Sequence, residues 1–321
     1  MDRAYPREPA QRTEWIVAQR PQRNHVDPER PYAFFVEQER SASGEVVPIA
    51  TVFLTNRECP WRCAMCDLWK NTLTEPVAMG AIPRQIQFAL ARLPAARQIK
   101  LYNSGSFFDM QAIPHEDYAT IARLTQFFER VIVECHPALI GERCWEFRAM
   151  LEGPLEVAMG LETAHPEVLE KLNKRMTLKQ FAQSAEMLRA HDVSLRVFVL
   201  VQPPFIQPDE ALEWANRSVD FAFDCGATAV SLIPTRSGNG AMEELAQIGE
   251  FTEPSLATLE AAVEYGQRLD HGRVFADLWE LRQSPQRCKQ CWPARIERLG
   301  EMNLRQHGTK RVACSACGGR S

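Results

Sequence analysis

Between residues 46 and 280, short unbroken apolar runs alternate with stretches whose apolar residues recur every three to four positions. The runs "IATVFLT" (49–55), "IKLYNS" (99–104), "VIVEC" (131–135), "LEVAMGLE" (155–162), "LRVFVLV" (195–201) and "AVSLIP" (229–234) read as strands, and a weaker seventh, "RVFADLW", begins at Arg273. Because the runs are continuous rather than alternating, they predict parallel strands buried on both faces. The intervening "RQIQFALARL", "HEDYATIARLTQFFER", "RCWEFRAML", "LKQFAQSAEMLRAH", "DEALEWANRSVDFAF" and "SLATLEAAVEYGQRL" read as helices. Thr177 and Gln180 have the spacing of a capping box, and "HPEVLEKLN" adds a short helix with Pro166 in its first turn.

Six strand–helix units fall short of the eight of a closed barrel, which typically needs about 250 residues. The expected fold class is therefore α/β, a partial (β/α)6 barrel; a doubly wound sheet is the alternative, since the pattern does not fix strand order. Either fold gathers functional groups at the carboxyl ends of the strands. Residues 46–280 form the expected core, 1–45 an N-terminal arm and 281–321 a small cysteine-bearing module. The arm holds Pro6, Pro21, Pro28 and Pro31 with scattered arginines, and "EWIVAQR" reads as a short helix. It is expected to pack on the barrel or to approach substrate.

Composition narrows the class. No apolar run approaches the roughly 18 residues of a membrane span, and the first residues lack the apolar centre of a signal peptide. A cytosolic (cytoplasmic), monomeric protein with no membrane partner is expected. In that compartment ten closely spaced cysteines point to metal or cluster ligands rather than disulfides. The formal charge of −4 is uneven: residues 281–321 carry +7, 1–45 carry −1 and 46–280 carry −10. A basic tail on an acidic body suggests an anionic partner such as RNA, or simply a polar, poorly buried segment.

The loop after the first strand, "TNRECPWRCAMCDLWKN" (55–71), carries Cys59, Cys63 and Cys66 as CxxxCxxC. Three thiolates on a four-iron cubane leave one iron open, and an open position marks a working metal site rather than a structural one. Buried thiols or a partial zinc site are the alternatives; the charges and turn formers of the loop argue against a core role. Cys135, Cys144 and Cys225 read as buried thiols. Glu134 and His136, in "VECHP", also fall at the expected mouth, as site residues or as ordinary loop polarity. "SGNG" (237–240) is too short and badly placed for a phosphate cradle.

This motif after the first strand of a β/α repeat resembles the signature of the radical S-adenosylmethionine superfamily, over roughly residues 48–280. The resemblance implies a 4Fe–4S cluster on Cys59, Cys63 and Cys66, S-adenosyl-L-methionine as cofactor, and a flavodoxin- or ferredoxin-like electron donor. It further implies cofactor contacts. "NSGSF" stands where the superfamily places a glycine-bearing turn for the methionine amino group. The usual glycine pair and acid are absent, so the role falls to the backbone of Ser104, Gly105 and Ser106. "GLET" places Glu162 near the ribose or amino group, Arg196 would meet the carboxylate, and Ile233 in "SLIP" would flank the adenine. Met65 stands where an aromatic residue usually precedes the third cysteine. The stretches "KLYNSGSFFD", "EVAMGLETAHPEVLEKLNK" and "VQPPF" are similar to the family that contains the archaeal radical enzyme of archaeosine formation in tRNA and its bacterial relatives. The activity implied is reductive cleavage of S-adenosylmethionine to a 5′-deoxyadenosyl radical that abstracts hydrogen from substrate.

In the tail, "CKQC" (Cys288, Cys291) and "CSAC" (Cys314, Cys317) are paired knuckles 22 residues apart, a zinc-ribbon-like spacing. Four thiolates would close a tetrahedron around Zn2+; a second iron–sulfur cluster is the competing occupant. Three functions stay open: radical chemistry on a nucleoside in tRNA, the same chemistry on a small metabolite or peptide, and a metal-binding protein without turnover.

Overall fold

The structure, a computed structural model, describes residues 4–279, 281 and 288–317. Eight strands form one curled sheet in strict chain order: β1 (Ala33–Arg40), β2 (Val46–Phe53), β3 (Gln98–Tyr102), β4 (Arg130–Glu134), β5 (Leu155–Glu162), β6 (Ser194–Val201), β7 (Ala229–Pro234) and β8 (Arg273–Ala276). β2 to β8 are parallel, whereas β1 runs antiparallel to β2, pairing Ala33 with Phe53 and Arg40 with Val46. Sequential order without a reversal excludes the doubly wound alternative. The partial barrel is thus as expected, with two differences. The weak run at Arg273 is a true seventh parallel strand, and the arm contributes a strand of its own. Gly44 sits at φ +84° in the β1–β2 turn, which the Ser41 and Glu45 backbones close.

Helices cover the outer face: α2 (Ala81–Leu90), α3 (Tyr118–Thr125), α4 (Glu142–Met150), α5 (Pro166–Lys171), α6 (Leu178–Ala190), α7 (Ala211–Asp224), α8 (Ala241–Gln247) and α9 (Leu256–Leu269), with α1 (Pro9–Ala18) in the arm and α10 (Trp292–Arg305) in the tail. The Thr177–Gln180 capping box starts α6 as predicted. Outward strand residues such as Val52, Leu101, Val197, Val199 and Leu232 are fully buried beneath the helices and form the main core. α10 packs against both β1 and β8, filling the gap where the sheet does not close. The two cysteine knuckles therefore flank a helix rather than the strands of a ribbon.

The inward face is chemically different. Near the amino ends of the parallel strands it carries charge. Arg196 Nε lies 2.7 Å from Glu156 Oε1, Arg196 Nη2 lies 2.6 Å from Glu39 Oε1, Lys100 Nζ lies 2.6 Å from Glu39 Oε2, and Arg273 Nη2 lies 3.2 Å from Glu156 Oε2. This network plugs the bottom of the barrel. Burial works to raise the Glu39 pKa, but Arg196 and Lys100 outweigh it and hold the carboxyl well below its usual range. Among the described residues no helix is long and apolar enough to cross a membrane.

Candidate cofactor site at the barrel mouth

Above the charged floor, β5 turns small residues inward, Ala158 and Gly160. The space they leave belongs to an open cavity with about 760 Å3 of atom-free volume, its mouth included. Cys59, Cys63, Cys66, Met65, Ser104, Gly105, Glu134, His136, Glu162, Lys174, Phe198 and Arg20 are among the residues lining it.

Three chain segments fix the cysteine loop. Asn239 Nδ2 donates to the carbonyls of Ala64 (2.7 Å) and Cys66 (3.0 Å), and Asn173 Nδ2 donates to the Arg62 carbonyl (2.8 Å). From the arm, Arg20 Nη1 lies 2.7 Å from the Glu58 carboxylate, which also pairs with Arg23 and with Arg62 (3.1 Å). The Arg20 guanidinium also stands 4.5 Å over the Trp69 ring. The "SGNG" stretch thus has a use after all: Asn239 caps the start of α8 and ties it to the loop. The arm packs on the barrel and also reaches the cavity through Arg20.

Burial pushes the thiols of Cys59, Cys63 and Cys66 up to about 12. They become thiolates there only against compensating positive charge, which a metal cluster provides. Cys135 also borders the cavity, but its thiol donates to the His136 carbonyl at 3.2 Å. Three thiols therefore face the space, a donor set that fits a 4Fe–4S cluster with one iron left for another ligand. Cys144 is fully buried and Cys225 half-buried.

The other predicted residues divide. Gly105 lies against the loop: a Cβ there would sit 3.2 Å from Cys59 Cβ. Ser104, at φ +54°, lines the cavity, and its hydroxyl is 3.0 Å from Tyr32 Oη. Ser106 does not line it; its hydroxyl is buried and accepts from the His136 backbone N–H at 2.9 Å. A carboxylate reaches this turn from the next strand. Glu134 Oε1 accepts from the backbone N–H of Asn103 (2.5 Å) and of Gly105 (3.4 Å). Burial raises the Glu134 pKa to about 7, against those N–H groups.

Glu162 is at φ +67°, where a bulge shifts β5 against β6, and its carboxylate accepts from Lys174 Nζ at 2.5 Å. Sequence reasoning missed Lys174. Burial works against its charge, but Glu162, with the nearby Cys63 and Cys59, outweighs it and the pKa rises. Arg196 is a correction: it faces inward but lies in the floor, locked between Glu39 and Glu156, and is not part of the cavity lining. Ile233 faces the lumen opposite Leu200, outside that lining. The His136 ring stacks on Trp61 at 3.7 Å, Nε2–H donates to the Lys174 carbonyl and Nδ1 accepts from Ala138 N–H. Burial holds its pKa down to about 3, so the ring is neutral.

In the tail, the ligand atoms of Cys288, Cys291, Cys314 and Cys317 all lie within 4.8 Å of one another, with sulfur pairs at 3.7 and 3.6 Å. Backbone N–H groups of Cys291 and Gln290 hold the Cys288 thiol below its ordinary pKa. The tail's charge is turned partly inward. Arg295 and Arg298 pair with Glu260, and Arg298 and Arg311 with Glu264, both acids on α9. Arg282, Arg287 and Arg320, counted in the tail's charge, lie outside the described residues.

No family model matches the chain. Among curated proteins it is similar to an uncharacterized protein of Methanocaldococcus jannaschii, 24% identical over 233 residues, covering 68% of this chain and 64% of that one. It is also similar to archaeosine synthase subunit beta of Methanosarcina acetivorans, 26% identical over 219 residues, covering 64% of this chain and 63% of that one. The chain spans just under two thirds of the length of these two relatives. Among solved structures it is similar to methylornithine synthase, a radical S-adenosylmethionine enzyme, with a TM-score of 0.50 and 10% identity over 81% of this chain and 84% of that one. At that identity the likeness is one of fold.

Proposed function

On the premise that this chain has the fold of radical S-adenosylmethionine enzymes and resembles archaeosine synthase subunit beta, we propose that it is such an enzyme and acts on a nucleoside in RNA. The observation that carries the first half is the convergence of three cavity-facing thiols, the Ser104–Gly105 turn and the Glu162–Lys174 pair on one open space. Cys59, Cys63 and Cys66 would hold the 4Fe–4S cluster. A carboxylate beside an ammonium is the complement of a free amino acid's two charged ends, so Glu162 and Lys174 suit the methionine portion of S-adenosylmethionine. Met65 and Phe198 offer apolar surface to its adenosyl portion. When bound, these cofactors supply a 5′-deoxyadenosyl radical able to take hydrogen from an unactivated carbon. The protein's own residues orient them, while the charged floor closes the lumen from below and keeps bulk water out.

The RNA half rests on the likeness to the archaeosine synthase subunit. The basic tail supports it less than its formal charge suggests, because Arg295, Arg298 and Arg311 are engaged by α9. For the tail cysteines, sulfur separations of 3.6–3.7 Å approach the ~3.8 Å edge of a tetrahedron with 2.3 Å zinc–sulfur bonds. A cubane binds each sulfur to a separate iron and holds them farther apart, so the spacing favours a single Zn2+. Anaerobic reconstitution followed by metal analysis tests the scheme: about four irons and one zinc per chain, with 5′-deoxyadenosine formed on addition of reductant and S-adenosylmethionine. Iron content unchanged in the triple Cys59→Ala, Cys63→Ala, Cys66→Ala variant would overturn it.

A further inference from the structure

Between the charged floor and the mouth, several inward side chains keep part of their surface exposed. The inward residues Phe35, Phe53, Tyr102, Phe198, Ser231 and Ile233 are all partly exposed, while the outward Val52, Leu54, Leu101, Val197, Val199 and Leu232 are buried. A continuous aromatic lining crosses this space. Phe198, in the cofactor cavity, meets Tyr102 edge-on at 6.0 Å, and Tyr102 meets Phe53 at 6.0 Å. Phe53 lies 5.5 Å from Trp279 and 6.0 Å from Phe35, and Phe35 and Trp279 stack at 5.2 Å with 24° between planes. These rings come from β1, β2, β3, β6 and the segment after β8, so they bridge the seam where the sheet stays unpaired. Trp279 is held in place by its own turn, its backbone N–H donating to Asp277 Oδ1 at 2.9 Å, yet it is 46% exposed. A large ring fixed against another ring and open to solvent is an uncovered apolar surface.

We propose that this upper lumen is the substrate chamber and that Phe35, Phe53 and Trp279 form a wall on which a flat heteroaromatic ring stacks. That the ring is a nucleobase rests on the RNA reading above. The floor of Glu39, Arg196, Glu156 and Arg273 closes the lumen from below, so among the described residues the lining runs upward from it, from the wall to Phe198 at the cofactor cavity. Stacking tolerates any base and needs a rigid ring of matching size, which Trp279 offers.

The test is quenching of intrinsic fluorescence in the reconstituted protein with S-adenosylmethionine bound, using the four nucleoside 5′-monophosphates as probes. Saturable quenching by at least one nucleotide is expected in the wild type. Because the chain has seven tryptophans, Trp279→Ala serves to attribute the signal and should abolish most of the quench. Phe35→Ala, which keeps the reporter, should weaken binding roughly tenfold, within the range of losses found when base-stacking rings are removed. Quenching by none of the four nucleotides, undiminished amplitude in Trp279→Ala, or unchanged affinity in Phe35→Ala would each overturn the wall. Binding needs no electron. Failure to form 5′-deoxyadenosine therefore defeats the radical reading alone, and the quench decides the wall alone.

Discussion

Lys174 Nζ lies 2.5 Å from Glu162 Oε1, and both atoms occupy the space directly above Gly160, where an added Cβ would come within 2.5 and 2.2 Å of them. The pair is therefore set by a residue that has no side chain. Gly160→Ala should push the pair apart and weaken S-adenosylmethionine binding at least tenfold while iron loading is retained. Isothermal titration of the reconstituted protein, with iron assayed in parallel, checks this.

Removing the ammonium alone leaves a buried carboxylate without its counter-ion. Breaking a buried pair in this way costs about 3–5 kcal/mol. Lys174→Met should lower stability by that order, and Lys174→Met combined with Glu162→Gln should recover part of it. Chemical denaturation of the three proteins at pH 7 reads the difference. Equal stability of the single and double variants would show that the pair is not coupled.

Asn239 contributes two hydrogen bonds to the cysteine loop from the far side of the barrel. Each net bond is worth about 1 kcal/mol, so Asn239→Ala should leave the fold intact but release iron to a chelator several-fold faster than wild type. Bathophenanthroline trapping gives the rate, and circular dichroism verifies the fold.

The floor predicts a pH dependence. Glu39 has a depressed folded-state pKa, as has Glu156, where burial again opposes the effect and Arg196 and Arg273 prevail. Depressed carboxylates contribute stability that is present above the unfolded pKa and lost as pH falls through the folded one. The contribution of these two carboxylates should hold from neutral pH down to about 4.3 and then decline with acidification. Glu39→Gln should be less stable at pH 7 and show a shallower acid decline. Urea midpoints between pH 7 and 3 supply the comparison.

Removal of the tail metal should loosen α10 and leave the loop cluster in place. Chelation under anaerobic conditions is expected to release about one zinc per chain and to expose the tail to limited proteolysis, with loop iron unchanged. Loss of both metals in parallel would contradict the separation of the two sites.

Much of this was legible in the chain because parallel strands buried on both faces leave unbroken apolar runs, and because CxxxCxxC is local. What escaped was non-local or broke the pattern. β1, "AFFVEQER", is partly exposed and carries Glu37, Glu39 and Arg40, so it looks like a polar arm; its inward Glu39 makes sense only once Arg196 and Lys100 are seen opposite. The resemblance places Arg196 at the cofactor because strand order gives the layer of the barrel but not the height of a side chain within it. Lys174 sits in a loop after α5 and reaches Glu162 through a bulge that no propensity foretells. α10 was hidden by the cysteine pairs around it, whose spacing suggested a ribbon.

The cysteine loop is complete as a string of residues by position 66, yet Asn173 and Asn239, which hold it in shape, come more than a hundred positions later. A nascent chain emerging from the ribosome thus carries all three thiols long before it can present them together. On the proposed reading, iron delivery waits until β7 and α8 have been translated and docked, and cofactor loading is a late event in the biogenesis of this protein.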